Sequence, residues 1–148
     1  MVNMVLQTKF FGEIEIEKEK LISFPQGLPG FDNLKEFAII NLPDDSPFFC
    51  LQSVDSPEIA FLLIKPWDFF TDYDINIPDE DLAEIMVKRP EQVLVYNILT
   101  IPEQIDKMTA NLLGPIIINR EDLIGKQVIL NDSKYTTKHL LFKQREVV

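Results

Sequence analysis

Residues 48–64 read FFCLQSVDSPEIAFLLI, two apolar runs joined by Asp55-Ser56-Pro57-Glu58. Pro57 presets the backbone for a type I turn, and the polar residues around it keep the connection at the surface. The pattern predicts an antiparallel hairpin with strands over 48–54 and 59–64. The second run, Ile59 to Ile64, is apolar at every position, so both of its faces need cover. Val93 to Ile101 and Ile116-Ile117-Ile118 share that character. Strands apolar on both faces of an antiparallel sheet imply a closed barrel or two packed layers. The expected fold is mainly β: one β-barrel-like or two-layer antiparallel domain over residues 1–148, with one or two short helices.

The flanking stretches fit that frame. Gly12 to Glu17 alternates apolar and acidic residues, a strand whose wet face carries Glu13, Glu15 and Glu17. Leu21 to Phe24 reads as the next strand, and Phe37 to Leu42 as another. Between them lies ISFPQGLPGF, residues 22–31, where Phe24-Pro25-Gln26-Gly27 suits a type I turn and Leu28-Pro29-Gly30-Phe31 a type II turn. Gly27 and Gly30 also match a G-x-x-G backbone clamp for nucleic acid. The prolines remove the N–H groups such a clamp needs, and the nearest cation, Lys35, sits among Asp32 and Glu36, so the stretch is read as a corner. Pro43 to Pro47 is a loop. Gln127 to Leu130 is expected to form a strand after Gly125. One helix is signalled: Asp79-Glu80-Asp81 at its positive end, Leu82, Ile85 and Met86 as an apolar stripe, and Lys88-Arg89-Pro90 closing it. Glu103 to Met108 suggests a further helical turn.

Composition narrows the chemistry. The 148 residues suit one domain, and Lys plus Arg total 14 against 24 acids, for a net charge of −10. Such a surface repels phosphate backbones and anionic lipid and attracts basic partners, so neither direct nucleic-acid binding nor membrane association is expected. The N-terminus lacks a secretory signal and no run is long enough to span a bilayer, which points to the cytoplasm. A charge this high also favours a monomer when the protein is free. One cysteine, Cys50, lies in the apolar run FFCL, and His139 is the one histidine. A zinc site of N and S ligands needs more than these two residues. Asp72-Tyr73-Asp74-Ile75-Asn76 begins like a calcium loop, but Ile77 and Ala83 occupy the positions where glycine and glutamate are required. No G-x-S-x-G elbow supports a triad. No catalytic, metal-binding or cofactor-binding residue is expected. The alternative is a small acidic β-barrel enzyme acting on a cationic or sugar substrate, which would need convergent carboxylates in a deep pocket.

The segment Pro66 to Asp74, PWDFFTDYD, interleaves aromatic rings with acids. Its rings serve either as core or as the anchors of a protein-docking surface whose acids select a basic partner. The expected partner-binding residues are Phe69, Phe70 and Tyr73 as apolar anchors, and Asp72, Asp74, Asp79, Glu80 and Asp81 as the acidic edge.

Taken in order, ISFPQGLPGF, SPFFCLQSVDSPEIAFLL, FFTDYD, NILTIP, TANLLGPIIIN and GKQVIL resemble the FliW family of flagellar assembly factors over nearly the whole chain. Gly114 before Pro115 and Leu140 after His139 depart from the family's usual residues. The resemblance implies a β-barrel-like, non-enzymatic cytoplasmic protein with two protein partners. One is flagellin, whose helical terminal regions it keeps from premature assembly. The other is the RNA-binding translational regulator CsrA, which proteins of this kind antagonise by docking beside its RNA site. Free flagellin would then withdraw the factor and restore repression.

Magnitudes decide whether charge alone could serve that role. One like-charge pair about 10 Å apart in water costs about 0.4 kcal/mol, and screening over about 8 Å cuts this to roughly 0.1. About five acids facing about five phosphates make roughly 25 pairs, worth about 2–3 kcal/mol, or on the order of a hundredfold in RNA affinity. The acids therefore have to be gathered on one face.

Overall fold

The structure, a computed structural model, describes residues 2–142. Its strands are β1 (Asn3–Gln7), β2 (Glu13–Glu17), β3 (Ile22–Ser23), β4 (Glu36–Asn41), β5 (Phe48–Ser53) and β6 (Ala60–Ile64). Then follow helix α1 (Asp79–Glu84), β7 (Val93–Thr100), β8 (Thr109–Ala110), β9 (Ile116–Asn119), β10 (Ile124–Gln127) and β11 (His139–Leu140). The hairpin that opened the sequence forms as β5 and β6, with Leu51 opposite Phe61 and Ser56 accepting the turn hydrogen bond from the Ile59 N–H at 2.9 Å.

Strand neighbours run β7-β6-β5-β4-β3-β10-β9, and β9 pairs back onto β7, closing a seven-stranded barrel. Closure depends on the length of β7. Its first half pairs with β9 from Val93 to Tyr96, and its far end pairs with β8 at Leu99 and Thr100. One pairing departs from the expected antiparallel sheet: β3 and β10 are parallel, with Ile124 opposite Ser23. β1 and β2 form a separate ribbon outside the barrel. Gln52, fully buried in β5, ties that ribbon down: its Oε1 accepts the Lys9 N–H at 3.0 Å, and its Nε2 donates to Pro57 at 2.9 Å.

The strands are apolar on both faces because two cores share them. Ile116, Ile118, Leu63, Tyr96, Leu51, Phe37 and Phe24 fill the barrel interior. Ile117, Ile64 and Leu99, which point the other way, build a second core with Tyr73, Ile85, Leu112, Val128 and Leu130 beneath the long connections. Alternate residues of one strand thus serve different cores, as the period of two requires.

The corner at residues 24–31 is confirmed. The Gly27 N–H donates to Phe24 at 2.8 Å, and the Phe31 N–H to Leu28 at 2.7 Å. Gly30 has φ 84, which the third position of a type II turn demands. Two other expectations need correction. The strand placed at 127–130 lies at Ile124–Gln127 instead, with Gly125 inside it. A Cβ on Gly125 would meet the Phe24 ring at 2.9 Å, so the glycine makes room for a core aromatic and does not break the strand. The helical stripe also stops early. α1 ends at Glu84, Ile85 is buried, and Met86 turns out to solvent, 52% exposed with φ 61.

Candidate docking groove

Between β6 and β7 the chain crosses the outside of the barrel, and this crossing builds the site. Pro66 starts a short 3-10 turn that lifts Trp67 to the surface, 44% exposed, while its indole N–H donates to the Tyr73 carbonyl at 2.8 Å. Residues 73–78, without regular secondary structure, then lead to α1. The helix has no side-chain cap, but acids at all three of its first positions complement the dipole. Its C-terminal end is a Schellman motif: the Val87 N–H donates to Leu82 at 2.9 Å and the Met86 N–H to Ala83 at 3.0 Å. Asn119 holds that end to the barrel, donating to the Ile85 carbonyl at 2.9 Å.

Trp67, Ile75, Ile77, Leu82, Val87, Val93 and Val95 enclose a groove of about 660 Å³ with Asp79, Lys88 and Arg89 also along it. The volume lies within the range of about 300–1,000 Å³ usual for binding pockets. The lining carries a single carboxylate, Asp79, whereas the alternative reading, an enzyme on a cationic or sugar substrate, calls for convergent carboxylates in a deep pocket. Among the described residues no group of three or more His, Cys, Asp or Glu is arranged to hold a metal ion. The shifted nucleophilic groups are quenched, not activated: burial pushes the Cys50 thiol up to about 11 and the Tyr73 phenol up to about 12.

The structure separates the residues expected to bind partners. Asp72, Asp74, Asp79 and Glu80 are exposed along the crossing. Asp81 faces the barrel, where it and Glu84 grip Lys126 of β10 at 2.6 and 2.5 Å. Burial alone would lower the Lys126 ammonium, but these two carboxylates outweigh it and raise its pKa; Lys126 and Gln26 together lower that of Glu84. Asp81 is thus engaged in an ion pair within the fold and is less exposed than the other four acids. Tyr73 is corrected as an anchor: it is 5% exposed, and its hydroxyl donates to the Leu112 carbonyl at 2.6 Å. Phe69 and Phe70 are half-buried, stacked edgewise on Phe142 and His139. They support the crossing from below and do not line the groove. Of the lining, sequence reasoning names Asp79 and places Trp67 in the aromatic segment, but it misses the rest. Leu82 is read only as part of the helix's apolar stripe, and Ile75, Ile77, Val93 and Val95 give no sign that folding leaves them only partly covered. It also missed Asp132, which the fold brings beside Asp74 and the exposed Ile129 along a second cleft of about 360 Å³.

A closed seven-stranded β-barrel with one long outer crossing, which carries an apolar groove and exposed acids, defines a small barrel scaffold. Residues 5–141 match the family described as FliW protein. The chain is 46% identical over 137 residues to the flagellar assembly factor FliW of Bacillus subtilis, covering 92% of this chain and 95% of that one. It is 45% identical over 142 residues to the Moorella thermoacetica protein of the same name, covering 95% and 90%. A crystal structure of a flagellar assembly factor FliW superposes with a TM-score of 0.91 at 40% identity, covering 97% of this chain and all of that one. This chain belongs to the FliW family.

Proposed function

We propose that the chain is a cytoplasmic, non-enzymatic flagellar assembly factor that exchanges between two protein partners, flagellin and the translational regulator CsrA. The observation that carries the reading is the juxtaposition on one crossing of an apolar groove and four exposed acids, Asp72, Asp74, Asp79 and Glu80. A helical segment of flagellin seats its apolar stripe on Trp67, Ile75, Ile77 and Leu82, the groove mode of helix recognition. CsrA, as an RNA-binding protein, presents basic surface to the acids. Phe69, Phe70 and Tyr73 contribute by holding the crossing in place.

Trp67→Ala tests the placement. The indole is half outside, so folding survives its loss. Calorimetric titration with flagellin is expected to show at least tenfold weaker binding, since a central aromatic anchor is worth about 2 kcal/mol or more. Val5→Ala, on the separate ribbon, is the control and leaves affinity unchanged. Wild-type affinity in the Trp67 variant would move the flagellin site elsewhere.

A further inference from the structure

The groove is electrically polar along its length. Asp79 opens α1, Lys88 follows the turn that ends it, and both line the groove, so the helix, about 9 Å long, lies between them along the chain. Neither forms an ion pair among the described residues. Arg89 is already paired: its Nη2 donates to both carboxylate oxygens of Glu121 at 2.8 Å. Gln92 donates to the same carboxylate. The free charges on the groove are therefore one anion near the start of α1 and one cation beyond its end.

We infer that the groove accepts an amphipathic helix in one direction only, its N-terminal end beside Asp79 and its C-terminal end beside Lys88. This deepens, and rests on, the reading of the groove as a helix-docking site. A helix brings partial positive charge at its N-terminus and partial negative charge at its C-terminus. In the stated direction both ends meet opposite charge; reversed, both meet like charge. The best occupant has an apolar stripe at i, i+3, i+4 and i+7, a basic residue in its first turn and an acidic residue in its last. Apolar contact supplies most of the affinity in either direction, while the end charges choose between them.

The chain's single tryptophan, Trp67, lines the groove and reports its occupancy. Two synthetic helices would be compared, alike in apolar stripe and free of tryptophan. One carries Lys near its N-terminus and Glu near its C-terminus, and the other carries the reverse. A side-chain staple holds both helical, so intrinsic helicity does not differ. Titration followed by Trp67 emission is expected to show the first bound about fivefold tighter at low salt. The preference should fade in high salt and invert in the double variant Asp79→Lys, Lys88→Glu. Equal affinities, or an unchanged preference in the double variant, would overturn the direction while leaving the groove reading intact. No change in Trp67 emission with either helix would overturn both.

Discussion

Met86 shows how much one residue matters to the wall of the groove. It occupies the left-handed position that ends α1, with φ 61, where a side chain is strained and glycine is not. Half of the side chain is in solvent, so little packing depends on it. Met86→Gly is expected to stabilise the protein by about 0.5–1 kcal/mol, raising the melting temperature by roughly 2–4 °C. A lower melting temperature would mean that Met86 contributes more by packing than its backbone costs. Gly125 predicts the opposite sign. A methyl group there would press on Phe24, which is fully buried and stacked edgewise on Phe37 at 5.2 Å. Gly125→Ala should destabilise by about 1–3 kcal/mol in chemical denaturation. An unchanged midpoint would show that the Phe24 ring has room to yield.

At the scale of elements, α1 is the weakest part of the site and is held from outside. Six residues are too few for a helix to persist alone. Ile85 anchors it from within, and the Lys126 ion pairs with Asp81 and Glu84 clamp it to strand β10. Lys126→Met should speed amide exchange across residues 79–87 more than in the barrel strands. The pH dependence follows from the directions of the shifts. The lowered Glu84 pKa makes its contribution full above about pH 5 and lost as pH falls through the folded value. The raised Lys126 pKa makes its contribution full below about pH 10 and lost only as pH rises through the folded value. Exchange at α1 should therefore rise in acid before the barrel unfolds, and this early phase should vanish in the variant. Local signals made much of this scale legible in the sequence. The β5–β6 hairpin, the corner at 24–31 and the start of α1 are all specified by turn chemistry within a few residues. Strand β10 was misplaced because Gly125 resembles a breaker until Phe24, a hundred residues earlier, is seen against it. The parallel β3–β10 pair and Lys126 beneath α1 are long-range juxtapositions with no local signature. The groove stayed hidden for the same reason: its apolar residues look like core until the fold leaves them partly open.

At the scale of the whole molecule, the charge of −10 acts only where it is concentrated. Asp72, Asp74, Asp79 and Glu80 lie on one crossing, and Asp132 lines the same cleft as Asp74. The combined substitution Asp72→Asn, Asp74→Asn and Glu80→Gln removes about three of the charges that would face RNA on CsrA. At roughly 0.1 kcal/mol per screened pair against about five phosphates, displacement of RNA should weaken roughly tenfold and lose most of its salt dependence. Unaltered displacement in low and high salt would exclude a field effect. Partner exchange is the central claim, and size-exclusion chromatography tests it most directly. The purified protein is mixed with CsrA, and flagellin is then added in equal amount. The account predicts that the protein leaves the CsrA peak and elutes with flagellin, freeing CsrA. A protein that stays with CsrA at every flagellin concentration, or that binds neither, would contradict it.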